Sequence, residues 1–174
     1  YEIAESVWRT GCRKIVFANS HGGQPQVMDI VCRELRIKLG MFAVSAWASA
    51  GADWSDLFDD HEMKHGIHGG EYETSALLAL HPDLVDMQYA EDFVPVSVAM
   101  QEAGGILTPE GRIGYGWQTQ DIHPSGACGN AAAADVDRGN IALDRGAERF
   151  LQLLAEVIAF PLDRITDKTI YSKV

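Results

Sequence analysis

Two short stretches of the sequence are dense in residues that bind metals or transfer protons. Residues 65–75, HGIHGGEYETS, place two histidines and two glutamates around a Gly-Gly pair, and residues 19–24, NSHGGQ, contain a second His-Gly-Gly. Imidazole and carboxylate together form a ligand set that suits Zn, Mn or Fe, and both groups also carry protons in catalysis. The two stretches therefore predict a metal-assisted hydrolysis.

His21, in the NSHGGQ stretch, has a position that favours a functional role. It follows the apolar run KIVFAN (14–19), which predicts a buried strand of a parallel sheet. The two glycines after it let the backbone approach another group closely. A phosphate-binding loop is the rival explanation, but the stretch matches neither G-x-G-x-x-G nor G-K-[ST]. We interpret His21 as a candidate metal ligand rather than as a surface histidine.

The other stretch brings His68, Glu71 and Glu73 close together in the chain. If this segment is extended, Glu71 and Glu73 share a face, and two adjacent carboxylates repel each other unless a cation or a proton lies between them. A divalent metal would resolve that repulsion. The alternative is that Glu73 only stabilises the first turn of the helix that follows. His61 and His65 have an acidic neighbourhood, and we interpret them as surface residues.

The elements around the two stretches follow the order helix, strand, loop, helix, strand. After the NSHGGQ loop, residues 25–39 show one apolar helical face that ends at Gly40, and MFAVSAW (41–47) predicts a second strand. This order is typical of βαβ units, in which helices cover the faces of a parallel sheet. A long helix is predicted over about 135–160, and GRIGYGW (111–117) is a candidate strand.

Both stretches are predicted to leave the sheet from the same edge. NSHGGQ follows the first strand directly, and the chain that leads to HGIHGGEYETS follows the second strand. Ligands of open α/β sheets bind beyond the carboxyl ends of the strands. We therefore expect His21 and Glu71 to converge on one site.

The composition limits the classes of partner. The 174 residues suit a single domain over 1–174, and the formal net charge of −11 argues against nucleic acid and against an anionic membrane surface. The three cysteines form no C-x-x-C pattern, and no apolar run reaches the length of a membrane span. We expect a cytoplasmic protein with reduced thiols that acts on a small-molecule substrate.

The same stretches resemble motifs of the creatininase family. NSHGGQ is similar to the family's N-G-H-G-G-N motif, and HGGEYETSALLALHPDLVD is similar to its H-A-G-E-x-E-T-S motif with the helix after it. GYGWQTQDIHPSGACGNAAAADVDRG resembles its late Trp, Asp-Ile and Gly-rich segment. The similarity covers most of the chain in the same order. It implies an α/β, three-layer creatininase-like fold, with a mostly parallel sheet and helices on both faces.

The resemblance also implies an activity and roles for the matching residues. Creatininase-like proteins are metal-dependent amidohydrolases, usually homo-oligomers and often hexamers, with two divalent metals (Zn, Mn or Fe) in a complete site. By position, His21 and Glu71 would be metal ligands. His68 would transfer a proton, and Glu73 would be an acidic residue beside the site.

Two further matches and several departures refine this expectation. Trp47 falls where creatininase itself has an active-site tryptophan, and Asn19 would hold the His21 loop or contact the substrate. Gly23 and Lys64 stand where creatininase has a glutamate and a second tryptophan, so creatinine is not the expected substrate. The remaining metal ligands of the family, a Glu, a His and an Asp, match no residue of this chain. We expect that an N-terminal strand with this metal-binding motif is missing.

The expected reaction is hydrolysis of a C–N amide bond, in a cyclic amide or a formamide, by a metal-bound hydroxide that attacks the carbonyl carbon. His68 would donate a proton to the departing nitrogen, and Glu73 would orient His68. Two alternatives stay open. One is a ring-opening hydrolase of a cyclic sugar-like ketone on the same scaffold, and the other is an inactive metal-binding subunit.

Overall fold

The computed structural model describes residues 1–171, which form an α/β protein. The helices of the described chain are α1 (Glu2–Arg9), α2 (Pro25–Leu39), α3 (Asp60–His65), α4 (Glu71–Leu80), α5 (Val96–Glu102), α6 (Thr119–Ile122) and α7 (Val136–Ala159). The strands are β1 (Lys14–Asn19), β2 (Phe42–Trp47), β3 (Asp92–Phe93) and β4 (Gly129–Asn130). Short 3-10 turns span Pro82–Leu84, Met87–Tyr89, Ala131–Ala133 and Leu162–Arg164.

The chain forms two compact units. The first unit contains Tyr1–Ala52 together with the chain from Gly146 onward, and the second unit contains Asp53–Arg145. Strands β1 and β2 belong to the first unit, and β3 and β4 belong to the second. Across residues 1–171, no helix combines the length and the apolar character needed to cross a bilayer.

The sheet of the first unit is parallel, as predicted. β1 coincides with the run KIVFAN, β2 begins one residue later than the predicted strand, and Asn19 pairs in register with Trp47 at their carboxyl ends. The helix between them stops at Gly40, whose φ of 64° lies in the left-handed region that favours glycine. The predicted strand–helix–strand order is therefore confirmed.

One face of this sheet packs against α1 and α2. The buried core there consists of Ala4 on α1, Leu35 on α2 and Met41, which precedes β2. Ile15 and Phe17 of β1 pack on the same cluster, as expected for residues two apart on a strand. Burial of these apolar side chains is the main stabilisation of the contact between the helices and the sheet.

The other face of the sheet packs against the last turns of α7. Phe42 of β2 stacks on Phe160, directly after α7, with ring centroids 4.0 Å apart. At the start of β1, Nζ of Lys14 donates to the carbonyls of Val157 and Ile158, at 2.8 and 2.6 Å. A lysine is favourable there because the last carbonyls of a helix lack intrahelical donors and carry partial negative charge. The expected helices on both faces of a parallel sheet are therefore present in the first unit.

The second unit has less regular structure than the first. Its strands β3 and β4 are two residues long and pair antiparallel, with Asp92 opposite Asn130 and Phe93 opposite Gly129. The prediction of a strand at residues 111–117 is wrong, because this segment consists of bends and loop. Glycine occurs three times in GRIGYGW, and glycine weakens a strand because it has no side chain to pack and loses much backbone entropy.

Candidate functional site

The loop after β1 is organised by a buried asparagine. Asn19 is 4% exposed, and its Nδ2 donates to the carbonyl of His21 at 2.8 Å. Its Oδ1 accepts the backbone N–H of His21 at 3.2 Å and Nε2 of Gln24 at 3.0 Å. An asparagine that bonds the backbone two residues ahead closes a local turn. Asn19 therefore fixes the backbone that carries His21.

The imidazole of His21 is exposed, but one of its nitrogens already accepts a hydrogen bond. Nδ1 accepts the backbone N–H of Gly23 at 3.0 Å, so the neutral ring carries its proton on Nε2. A cation at Nδ1 would replace this hydrogen bond directly. A cation at Nε2 would require the tautomer that is protonated at Nδ1, which also removes the acceptor. A metal ion bound to either nitrogen of His21 therefore breaks the hydrogen bond between the N–H of Gly23 and Nδ1.

Trp47 lies beside this loop at the end of β2. Its indole is half-exposed, and a Cβ added to Gly22 would lie 4.0 Å from Cη2 of Trp47. An open cavity of about 240 Å³ borders the same residue, with Val44 and Arg149 also in its lining. The structure thus brings Asn19, His21 and Trp47 together at the carboxyl edge of the parallel sheet of the first unit.

His68 belongs to the second unit, just before α4. Its backbone forms a bridge with Cys128: the N–H of His68 donates to the Cys128 carbonyl at 3.3 Å, and the N–H of Cys128 donates to the His68 carbonyl at 2.6 Å. The side chain of His68 is exposed. The imidazole is therefore accessible from solvent while its backbone is fixed.

The segment after His68 is not extended, so the condition under which Glu71 and Glu73 would share a face is not met: α4 begins at Glu71. Residues two apart on a helix lie roughly 200° apart around its axis. Glu71 is accordingly buried and Glu73 exposed, and the two carboxylates do not share a face. The carboxylate of Glu73 accepts the backbone N–H of Gly69 at 2.7 Å. Glu73 thus supports the first turn of the helix and the residue that follows His68.

Glu71 forms an ion pair that the sequence analysis did not predict. Its side chain is 9% exposed, and its Oε1 accepts from Nη1 of Arg138. Arg138 also donates to the carbonyls of Leu57 at 2.9 Å and Ala133 at 2.5 Å. One oxygen of the Glu71 carboxylate is therefore committed to an arginine. Arg138 lies 67 positions later in the chain, and no local spacing could have signalled the pair.

A cavity of about 70 Å³ in the second unit has an acidic lining. Its titratable residues are Asp59, His61, Glu62, His65, Glu71 and Asp92. Even so, the part of the chain that the structure describes holds no group of three or more His, Cys, Asp or Glu side chains arranged to bind a metal ion. The donor types of His21 and Glu71 fit a divalent cation, although residues 1–171 do not present a complete ligand set. The two residues belong to different units, and their convergence stays a prediction.

His65 is buried, so its interpretation as a surface residue is wrong, whereas His61 is exposed as predicted. Nδ1 of His65 lies 2.8 Å from Oγ of Ser97, and Nε2 lies 3.0 Å from Oε1 of Gln101. A carbonyl oxygen can only accept, so Nε2 carries the proton and Nδ1 accepts from the Ser97 hydroxyl. Both partners come from α5, more than thirty positions later, which explains why spacing missed them.

We expect His65 to make the stability of the protein depend on pH. Burial lowers the pKa of His65 below 6.5. The hydrogen bond to Gln101 raises this pKa, whereas the nearby His61 and Lys64 lower it further. As pH falls, the unfolded chain therefore binds a proton at this histidine before the folded protein does. The contribution of neutral His65 to the free energy of unfolding is complete above pH 6.5 and is lost as pH falls towards the lowered pKa. Urea unfolding of the wild type between pH 7.5 and 5 should show this loss. His65→Gln should flatten the profile, and replacement of the exposed His81 by glutamine should not. Equal slopes in all three proteins would contradict the assignment.

Comparison with known proteins places these features in a family context. A family model for creatininase, described as creatinine amidohydrolase, matches residues 1–154. Creatinine amidohydrolase of Pseudomonas putida is 30% identical over 107 residues, which are 55% of this chain and 41% of that protein. A 3-dehydro-scyllo-inosose hydrolase of Thermotoga maritima is 26% identical over 179 aligned residues, 93% of this chain and 55% of that protein. The chain thus spans about half the length of the curated relatives it matches.

Solved structures share the fold. A candidate creatinine amidohydrolase of Bacteroides fragilis superposes with a TM-score of 0.65 at 19% identity, covering 92% of this chain and 60% of that chain. A zinc form of a mutant creatininase gives 0.58 at 20% identity, and a manganese form of creatininase gives 0.59 at 22% identity; each comparison covers 91% of this chain and 62% of the other. These similarities confirm the predicted creatininase-like α/β fold.

Proposed function

The chain belongs to the creatininase family, and from this premise we propose that it functions in a metal-dependent hydrolase that cleaves a C–N amide bond of a small molecule, either a cyclic amide or a formamide. The observation that carries the proposal is the family match over residues 1–154, which include both histidine stretches. The P. putida relative is named for the same class of reaction.

His21 and Glu71 would hold the cation, for which we propose zinc, manganese or iron, with two ions in a complete site. Imidazole and carboxylate donors suit these ions, and similar structures exist in zinc and manganese forms. When bound, such a cation supplies an activated water and polarises the carbonyl of the substrate. Binding at His21 gives up the hydrogen bond from Gly23, which is worth about 1 kcal/mol and which the new bond must exceed.

His68 would serve as the proton donor. Water would add its oxygen to the carbonyl carbon and lose a proton to solvent, the C–N bond would break, and the nitrogen would leave with a proton donated by the His68 ring. This role suits an exposed ring on a fixed backbone, because a proton donor needs both access to the substrate and a defined position. Glu73 supports that position through the N–H of Gly69, the residue after His68.

Trp47 and Asn19 would act on the substrate in different ways. The half-exposed indole of Trp47 offers a flat apolar surface against which a small ring can pack. The donor and acceptor of the Asn19 side chain are both engaged within the loop. We therefore assign Asn19 to holding the His21 loop, and Trp47 to direct contact with the substrate. A homo-oligomeric assembly is proposed from the family resemblance.

Hydrolytic ring opening of a cyclic sugar-like ketone is a second candidate function. In that reaction water adds to the carbonyl carbon and a carbon–carbon bond of the ring breaks. The T. maritima relative, named as an inosose hydrolase, matches 93% of this chain, whereas the P. putida relative matches 55%. The longer match favours this candidate, and the higher identity of the shorter match favours amide hydrolysis.

A substrate screen with controlled metal content tests the proposal. The full-length protein would be stripped with a chelator, reloaded with Zn²⁺ or Mn²⁺, and assayed with cyclic amides, N-formyl amines and cyclic diketones. We expect turnover of an amide or a formamide only after reloading. Turnover of the diketones alone would establish the second candidate. A reloaded protein that hydrolyses none of these substrates would contradict hydrolysis and support an inactive metal-binding subunit.

A further inference from the structure

A buried carboxylate on α3 holds two distant segments of the second unit. Glu62 is 5% exposed, and its Oε1 accepts the backbone N–H of Glu71 at 2.6 Å. Its Oε2 accepts the backbone N–H of Asn130 at 2.9 Å. Hydrogen bonds to an ionised carboxylate are about twice as strong as those between neutral groups. Glu62 therefore fastens the first residue of α4 to β4.

Glycines make room for this carboxylate on three sides. A Cβ at Gly66, Gly70 or Gly129 would lie 2.0, 2.2 or 2.6 Å from Oε1 of Glu62, distances that real Cβ atoms do not adopt. These glycines come from the end of α3, the turn before α4 and β4, respectively. The second glycine of the HGGE sequence is thus explained by a close approach of Glu62 to the backbone.

The two segments that Glu62 joins carry the residues of the proposed reaction. The N–H that it accepts at one end belongs to Glu71, the proposed metal ligand. At the other end, Asn130 lies two residues after Cys128, whose backbone forms the bridge with His68. A shift of the Glu62 carboxylate would therefore move the backbone of Glu71 relative to that of His68.

We propose that Glu62 is a positioning residue, whose carboxylate sets the placement of Glu71 and of the His68 segment for metal binding and proton transfer. This inference rests on the proposed function. The carboxylate of Glu62 is needed because both of its partners are N–H donors, and each of its two oxygens accepts one of them. A glutamine at this position has a similar size but one acceptor atom, so its NH₂ group would face the N–H of Glu71 or of Asn130.

Glu62→Gln is the direct test, with two readouts. Residues that support a metal ligand typically contribute 10- to 100-fold to affinity or activity, so we expect calorimetric titration of Zn²⁺ into the metal-free protein to show a loss of about that size. Amide hydrogen exchange at Glu71 and Asn130, measured without metal, should become faster. Ile122→Val is the matched control, because it removes buried volume in the same unit and should lower stability without changing the affinity for Zn²⁺.

Gly66→Ala provides a second variant that keeps the carboxylate. Its methyl group would lie too close to Oε1 and to the backbone carbonyl of Glu62, so the carboxylate would be displaced. Gly66→Ala should therefore weaken Zn²⁺ binding as Glu62→Gln does, and the double variant should lose little more. If Glu62→Gln does not fold, the Zn²⁺ affinity of Gly66→Ala tests the positioning role. Wild-type Zn²⁺ affinity in a folded variant would overturn the positioning role and leave the proposed function intact. A wild-type protein that binds none of Zn²⁺, Mn²⁺ and Fe²⁺ would contradict the proposed function, and the positioning role with it.

Discussion

Replacement of His68 by alanine is expected to lower kcat by about 10²- to 10⁴-fold while the bound metal content stays at the wild-type level. The reason is that the imidazole supplies the proton of the departing nitrogen and is not one of the proposed metal ligands. The side chain is exposed, so its removal leaves no buried cavity. Steady-state kinetics together with elemental analysis of the purified variant measures both quantities.

The matched control for this variant is His81→Ala. His81 is another exposed histidine, located at the opposite end of α4, and has no role in the proposed reaction. Its replacement should leave kcat and metal content unchanged. A His68→Ala protein with wild-type kcat would show that His68 is not the proton donor, and a variant that lost its metal would instead identify His68 as a ligand.

Replacement of His21 by alanine is expected to remove metal and activity together. Loss of a direct ligand should weaken Zn²⁺ binding by more than the roughly 100-fold that loss of a supporting residue causes. Elemental analysis after gel filtration should therefore find far less than the wild-type zinc content. Glu71→Gln should behave in the same way, because its neutral amide is a poor ligand for zinc.

The His21 loop also provides a spectroscopic readout of binding. Zn²⁺ added to the wild type should shift the backbone amide resonance of Gly23, since a metal ion on either ring nitrogen displaces the hydrogen bond that Nδ1 accepts. Gln26→Ala, an exposed change in the first turn of α2, is the control and should retain the zinc content and the shift. Full zinc occupancy in His21→Ala would contradict the ligand assignment.

Features of the fold that depend on local sequence were predicted well. The run at 14–19 is apolar, as is typical of a parallel strand between layers of helices, and it coincides with β1. The prediction that this strand is buried is wrong, because its apolar side chains are half-buried or exposed. Gly40 marks the end of α2 because the left-handed cap needs no Cβ. In both cases the cause lies within a few residues of its effect.

Features that depend on distant partners were missed. The burial of His65 follows from hydrogen bonds to Ser97 and Gln101, and the start of α4 at Glu71 is fastened by the carboxylate of Glu62. Arg138 pairs with Glu71 across 67 positions. Spacing within a short motif carries no information about such partners. The motifs therefore indicated the family correctly, while the contacts of the carboxylates at the candidate site came from the structure alone.

Anomalous scattering from crystals of the full-length protein grown with Zn²⁺ would locate the cation directly. The proposal predicts a zinc peak bonded to a ring nitrogen of His21 and to a carboxylate oxygen of Glu71, each at about 2.0–2.2 Å. Zinc peaks that avoid both side chains, with Glu71 still paired to Arg138 and Nδ1 of His21 still bonded to Gly23, would contradict it.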